Sequence, residues 1–284
     1  MHTFADLCCG SAAVARRLLS PSQRPLVPYM GSKLGYAESI LALLDVLGQR
    51  PERIILADSG PWGRFWHAVH HQHLGEAIID ELRSMRGAGA SLMTSIHQAP
   101  VPQSPARRWA CFLALQAGSA FGKPVGIEGA SWVVHGYAHL SESARAKGFK
   151  ERLNPRTLAD RLARALAGWP PTEVFVEPVE SMPLGWADAD TVVYIDPPYS
   201  STEGYSTSDL SSAALRSVAN TLFQIGASVA VSEQRPLPWP GWYTSEVTRC
   251  GIWQPTSFRT APVEWLTTSA PPSLAGEQLP LALP

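Results

Sequence analysis

Apolar positions along the chain fall into two patterns. Short unbroken runs, in HTFADL (residues 2–7), RIILAD (53–58), EVFVE (173–177), TVVYID (191–196) and ASVAVS (227–232), predict buried strands. Between them the spacing changes to a helical one. GSAAVARRLL follows the first strand with Gly10 and Ser11 at the turn, Leu34, Ala37, Ile40, Leu41 and Leu44 predict a helix from Ser32 to about Leu47, and another runs from about Asp209 to Ile225. Strands that alternate with helices and read as continuous apolar runs predict a mostly parallel α/β sheet, completed by GWYTSEV and APVEWLTTS.

The middle of the chain breaks this alternation. From about Val69 to Pro170 the pattern predicts helices over Glu76 to Met85, Arg107 to Ala117 and Pro155 to Leu166, together with the glycine-rich, aromatic stretch SAFGKPVGIEGASWVVHGY, but no buried strand series. The expected organisation is a core over residues 1–68 and 171–269, a largely helical insert over 69–170, and a disordered Pro/Leu-rich tail over 270–284. A chain of 284 residues, 45% hydrophobic, can bury one sizeable core interrupted by such a lobe. Its longest apolar stretches, such as WACFLAL, fall short of the roughly 20 residues a bilayer span needs, and MHTFADLCC lacks a basic lead, so a soluble, cytoplasmic chain with no membrane partner is expected.

Composition alters the picture at three points. Cys8, Cys9, Cys111 and Cys250 show neither a C-x-x-C spacing nor a disulfide framework and are expected to be small buried hydrophobes. His67 and His71 stand one helical turn apart in a cluster with His70 and His73, but without carboxylate or cysteine companions they predict a polar helix face and no metal site. The net charge of -1 is unevenly spread: residues 101–170 hold ten Lys or Arg against four acids, a local excess of six, so the remainder carries -7. Segregation of that size leaves room for a polyanionic partner that the total alone would exclude.

Open parallel sheets bind ligands beyond the carboxyl ends of their strands. Three predicted strand ends carry suitable groups: the Gly10 turn, where backbone can approach a ligand ahead of a helix N-terminus; Asp58, an acid placed to accept hydrogen bonds from ribose hydroxyls; and Asp196. Together they describe a nucleoside-containing cofactor at the sheet edge. Asp196 opens the tetrapeptide Asp196-Pro197-Pro198-Tyr199, which as a local sequence also suits a simple strand-ending turn.

With these companions, the chain resembles the DNA methyltransferases that act on exocyclic amino groups, most closely the Dam-type (D12 class) adenine N6-methyltransferases. VVYIDPPYS resembles motif IV of that family, FADLCCGSAAV its S-adenosylmethionine motif I, PYMGSK its motif X, LADSGPWGRFWHAV the segment whose acid holds the cofactor ribose, and QAGSAFGKPVG the start of its target-recognition region. Weaker similarity runs through GYSTSDLS, GASVAVSEQ and SFRTAPVEWLTTS. The resemblance implies a Rossmann-like methyltransferase core with an inserted, largely helical target-recognition lobe. It differs from the family in two ways: PYMGSK follows motif I instead of preceding it, and Ala12 and Ala13 stand where a second glycine and its small neighbour are usual.

The resemblance implies methyl transfer from S-adenosyl-L-methionine to the N6 amino group of adenine in duplex DNA, after the base is flipped out, in a phage or bacterial enzyme. Asp196 and the Pro197 carbonyl would accept the amino hydrogens, the ring of Pro198 would help fix the turn, and Tyr199 would stack on the base. Phe4 and Gly10 would line the cofactor pocket, Tyr29 and Lys33 would help bind the methionine portion, Asp58 would take the ribose, and Asp196 would face the methyl group. Arg107, Arg108 and Lys123 are candidate nucleic-acid contacts. Cytosine N4 or an RNA amino group would suit the same chemistry, and a non-catalytic DNA-binding module retaining the fold is the alternative of a different class. In the tail, Gln278 to Leu283 reads QLPLAL, similar to the bacterial sliding-clamp-binding peptide, making the clamp a candidate partner of a monomer or weak homodimer.

Overall fold

The computed structural model describes residues 1–20, 26–27, 29, 32–87, 89–119, 123–134, 154–198, 210–249 and 263–271. Tyr199, Cys250, most of the GYSTSDLS and SFRTAP segments and the candidate clamp peptide Gln278 to Leu283 lie outside the described residues. The chain divides into two compact units, one of Met1–Pro21, Lys33–Ser59 and Pro170–Pro284, the other of Ser22–Ser32 and Gly60–Trp169.

The first unit holds strands β1 (Thr3–Leu7), β2 (Arg53–Ala57), β5 (Thr172–Phe175), β6 (Thr191–Ile195), β7 (Ser228–Glu233), β8 (Tyr243–Val247) and β9 (Glu264–Thr268); the second holds β3 (Val125–Glu128) and β4 (Ser131–Val134). Its sheet runs β5-β2-β1-β6-β7-β9-β8, parallel from β5 to β7, with β9 antiparallel to both β7 and β8. This is the mostly parallel α/β architecture that the apolar runs predict. Strand order reverses between β1 and β6, which creates a crevice at their carboxyl ends.

The two faces of the sheet differ in chemistry. Ala5, Leu7, Ile55, Ala57, Val193, Ile195, Val229 and Val231 form one face and pack with Leu215, Val218, Ala219 and Leu222 of helix α8 (Ser212–Ile225). The alternation of a strand sends their neighbours Phe4, Asp6, Tyr194 and Ser232 to the other face. All four are buried there, so that face mixes apolar packing with polar groups that need partners. Helix α8 begins at Ser212 because Ser211 caps the Ala214 amide, and it ends at Gly226, whose φ of 106° a side chain would resist.

The long helix expected from Ser32 is divided. A 3-10 turn over Lys33–Gly35 precedes helix α2 (Ala37–Leu43). Gly35 accounts for part of the break, because it is a weak helix former and its backbone lies against Arg249: a Cβ there would sit 2.8 Å from the guanidinium Nε. That break sets Lys33 on a turn of its own.

In the second unit, helices α3 (Pro61–His70), α4 (Gly75–Ser84), α5 (Gly89–Gln98), α6 (Pro105–Gly118) and α7 (Pro155–Leu166) accompany the β3–β4 hairpin. Helix α3 spans the expected boundary at residue 68 and lies wholly in this unit, since Trp62, Phe65 and Trp66 pack edge-on or stacked with Trp109, Phe112 and Trp169. The hairpin is absent from the sequence reading because its strands are only four residues long. Gln116, fully buried, fastens it to α6: the side-chain amide donates to Ser119 Oγ and the Lys123 carbonyl, and Gln116 Oε1 accepts from the Val125 amide. No described helix is long and apolar enough to cross a membrane.

Candidate active site

The site grows from three adjacent strand ends. Leu7 pairs with Ala57 on one side and Ile195 on the other, so Cys8, Asp58 and Asp196 each lie one residue beyond the same register line. Backbone hydrogen bonds carry the alignment past the strands: the Asp196 amide donates to the Leu7 carbonyl at 2.9 Å, Cys9 to Ala57 at 3.0 Å and Asp58 to Phe175 at 3.1 Å. With neighbouring strands about 4.8 Å apart, the two aspartates flank the β1 end at a separation of about 10 Å.

The turn after β1 is bound to one of these acids. Gly10 donates its amide to Asp58 Oδ2 at 2.9 Å, which brings two of the expected cofactor residues together. Cys8, Gly10 and Ala12 all have positive φ, at 58°, 48° and 51°. For the two non-glycine residues that conformation is strained, and strained residues of this kind cluster at functional sites. Ala12 holds a left-handed conformation costing an L-residue about 1–2 kcal/mol. Ala12→Gly is therefore expected to raise stability by about 0.5 kcal/mol, the relief being partly offset by a more flexible unfolded chain; a lower melting temperature than wild type would contradict the assignment of strain.

Helix α1 (Ala13–Leu19) follows directly, and Ala12 gives it no side-chain cap. Asp6 of β1 supplies one from outside the helix, its Oδ2 accepting the Ala15 amide at 3.1 Å. Burial raises the Asp6 carboxyl well above the usual range, with Asp196 and Asp58 adding to the effect and the Ala15 amide opposing it. Burial likewise raises the Cys8 and Cys9 thiols, with the Asp58 carboxylate adding to it, so neither supplies a thiolate at neutral pH. Phe4 lies inside β1, fully buried between Ile54 and Val192, in the core and not at the strand end.

Asp196 sits in a dense polar cluster. Lys33 Nζ is 2.8 Å from Asp196 Oδ1 and 3.6 Å from Glu264 Oε1, with Lys33 and Glu264 both buried and the Asp196 side chain 16% exposed. Ser232 Oγ lies 3.2 Å from Asp196 Oδ1 and 2.9 Å from Glu264 Oε1, and accepts the Tyr194 hydroxyl at 3.0 Å. Beside them, burial pushes Glu233 up to about 7, with Asp196 and Glu264 contributing and the Gln234 amide and Lys33 opposing. The structure thus joins Lys33 to Asp196 despite the unusual order of their motifs. Asp6, Tyr194, Ser232, Glu233 and Glu264 are members of the site that the sequence reading does not name.

Tyr29 belongs to the second unit, where its ring meets Trp62 edge-on at 5.6 Å. The candidate nucleic-acid residues in that unit have local partners: Arg107 pairs with Glu81 at 3.1 Å, Arg108 donates to the Pro102 and Gln103 carbonyls, and the Lys123 carbonyl accepts from Gln116. His67 and His71 stack at 4.7 Å, and burial holds His70 down to about 4, hence neutral. Among the described residues no group of three or more His, Cys, Asp or Glu could hold a metal ion.

The sheet, five parallel strands with a reversal at β1 and β6 and an antiparallel β8–β9 pair at one edge, is a Rossmann-like α/β sheet. No protein-family profile and no curated protein matches the chain. Among solved structures it is similar to the rRNA methyltransferase aviRa from Streptomyces viridochromogenes, in structures at 1.5 Å and 2.4 Å. Each shows 16% identity over 94% of this chain and 75% of that one, with a TM-score of 0.33.

Proposed function

We propose that the chain is an S-adenosylmethionine-dependent methyltransferase acting on the N6 amino group of adenine in duplex DNA. The observation that carries this reading is the row Asp58, Gly10 turn, Asp196 at the sheet's switch point, with Asp196 running into Pro197 and Pro198 and held by Lys33. The donor set suits the cofactor: the Asp58 carboxylate matches a ribose diol, and the strained Gly10 turn offers close backbone approach. When bound there, S-adenosylmethionine supplies an electrophilic methyl group on sulfonium.

An adenine amino nitrogen is a weak nucleophile because its lone pair is delocalised into the ring. Asp196 and the Pro197 carbonyl accept its two hydrogens and so draw the lone pair out of conjugation. The fixed φ angles of Pro197 and Pro198 hold this acceptor pair in place at little entropic cost. Tyr199 gives the flipped base an aromatic surface in exchange for its lost stacking. The local excess of basic residues over 101–170, which includes Arg107, Arg108 and Lys123, favours a nucleic-acid substrate. The experiment is incubation of the purified chain with S-adenosylmethionine and mixed DNA and RNA, followed by mass analysis of the nucleosides. N6-methyladenosine of the deoxy series is expected; methyl only on cytosine N4 or on RNA would redirect the substrate assignment.

A further inference from the structure

Two adjacent arginines in the first turn of α6 differ in what holds them. Arg107 is paired with Glu81 at 3.1 Å. Arg108 instead donates from Nε to the Pro102 carbonyl at 3.1 Å and from Nη2 to the Gln103 carbonyl at 3.4 Å. Neutral carbonyls thus fix one edge of its guanidinium, and among the described residues Arg108 forms no ion pair. A guanidinium is a planar fork of N–H groups. With Nε and one Nη2 hydrogen engaged, the end formed by Nη1 and the second Nη2 hydrogen is the pair of parallel donors that a phosphate accepts.

Arg108 also lines a hollow of about 260 Å³, together with Val101, Gln103, Ile127, Gly129 and Ala130. The β3–β4 hairpin forms one wall of it, tied to the loop before α6 by the bond from the Val101 amide to the Ala130 carbonyl at 2.9 Å. The turn of that hairpin leaves the approach open: Gly129 has φ 59°, and a Cβ there would meet nothing within 4 Å.

We propose that this hollow is a phosphate-binding subsite, in which Arg108 holds a phosphodiester of a nucleic-acid backbone through the open end of its fork. The inference deepens the proposed function and rests on its nucleic-acid substrate. Anchoring by two carbonyls lowers the side-chain entropy lost on binding, which sets Arg108 apart from an arginine extended into solvent. Gln103 carries amide donors for a phosphate or sugar oxygen, and Val101, Ile127 and Ala130 offer the sugar an apolar surface. The excess of six positive charges over residues 101–170 favours a polyanion over a single carboxylate. Such a contact fixes the position of the backbone and reads no base.

The test is the affinity of the full chain for duplex DNA and for duplex RNA, read by fluorescence anisotropy over a series of salt concentrations, for wild type, Arg108→Gln, Arg108→Lys and Arg107→Ala. R108Q keeps an amide able to donate to a loop carbonyl, and thermal melting beside wild type checks the fold. It is expected to weaken binding by about fivefold or more at low salt and to flatten the slope of log affinity against log salt by about one. R108K should keep the slope and lose part of the affinity, because an ammonium retains the charge without the fork. R107A, whose charge already meets Glu81, should flatten the slope by less.

An R108Q slope equal to that of wild type overturns the proposal, as does an R108K that binds as tightly as wild type, or an R107A that flattens the slope as much as R108Q. A wild type that binds neither duplex overturns it too. The expected changes on RNA alone support the subsite and assign the phosphate to RNA. Methyl transfer is measured separately: a wild type that shows the Arg108-dependent slope and transfers no methyl group supports the subsite and refutes the reading of the reaction.

Discussion

Asp196→Ala is expected to lower methyl transfer by about a thousandfold or more, since under the proposed function it removes the hydrogen-bond acceptor that localises the amino lone pair. The backbone at that point is fixed by the hydrogen bond that the Asp196 amide donates to the Leu7 carbonyl, so the change should leave the strand end in place. Lys33 keeps Glu264 at 3.6 Å as a counter-charge, which limits the loss of stability. Cofactor affinity, which the proposed function assigns to Asp58 and the Gly10 turn, should remain within about threefold, because the lost group would act on the nucleophile. Single-turnover kinetics beside calorimetric cofactor binding separate these effects. Retained turnover would refute the role of Asp196; parallel loss of turnover and cofactor binding would recast it as a binding residue.

Lys33→Met should have the largest effect on folding. Asp196 and Glu264 would then face one another across Ser232 without the Lys33 ammonium, and removing one partner from a buried ion cluster typically costs about 3–5 kcal/mol. That is a large share of the roughly 5–15 kcal/mol that holds a domain together. The double variant Lys33→Met with Glu264→Gln removes one of the stranded carboxylates and should recover a good part of the loss. Urea unfolding of wild type, both single variants and the double variant gives the coupling directly. Additive effects of the two substitutions would contradict the charge cluster.

The sequence reveals those parts of the site that are properties of single strands. TVVYID and RIILAD each place an acid directly after an unbroken apolar run, so Asp58 and Asp196 could be assigned to strand ends, and the Gly10 turn to a third. Their alignment on one register line is a property of the sheet and required the structure. Glu264 and Ser232 are illegible for the same reason: the β6–β7–β9 pairing brings Ser232 to Asp196 and Glu264 to Ser232, across 36 and 68 positions of chain from Asp196. Asp6 was hidden differently. It sits in an apolar run that reads as ordinary strand, and the clue to its role, an Ala12 unable to cap α1, appears only once the helix start is known.

Lys33 shows how far a motif resemblance carries. PYMGSK marks the residue as a cofactor contact by resemblance, and the structure adds that its ammonium lies on Asp196 and Glu264. The middle of the chain was less legible because its strands are short and its helices carry weak signals. GASLMTSIHQ, the sequence of α5, is rich in Ser and Thr, which favour helix little, and is held by Leu92, Met93 and Ile96, all buried.

The most direct test of the account is methyl transfer from S-adenosylmethionine carrying a deuterated methyl group to duplex DNA whose adenine amino nitrogens are labelled with nitrogen-15, read by mass analysis of the product nucleosides. The account predicts a deuterated methyl bonded to the labelled nitrogen, formed by wild type and lost in Asp196→Ala. Absence of any methylated nucleoside with wild type, or a methyl group found on a ring carbon, would contradict it.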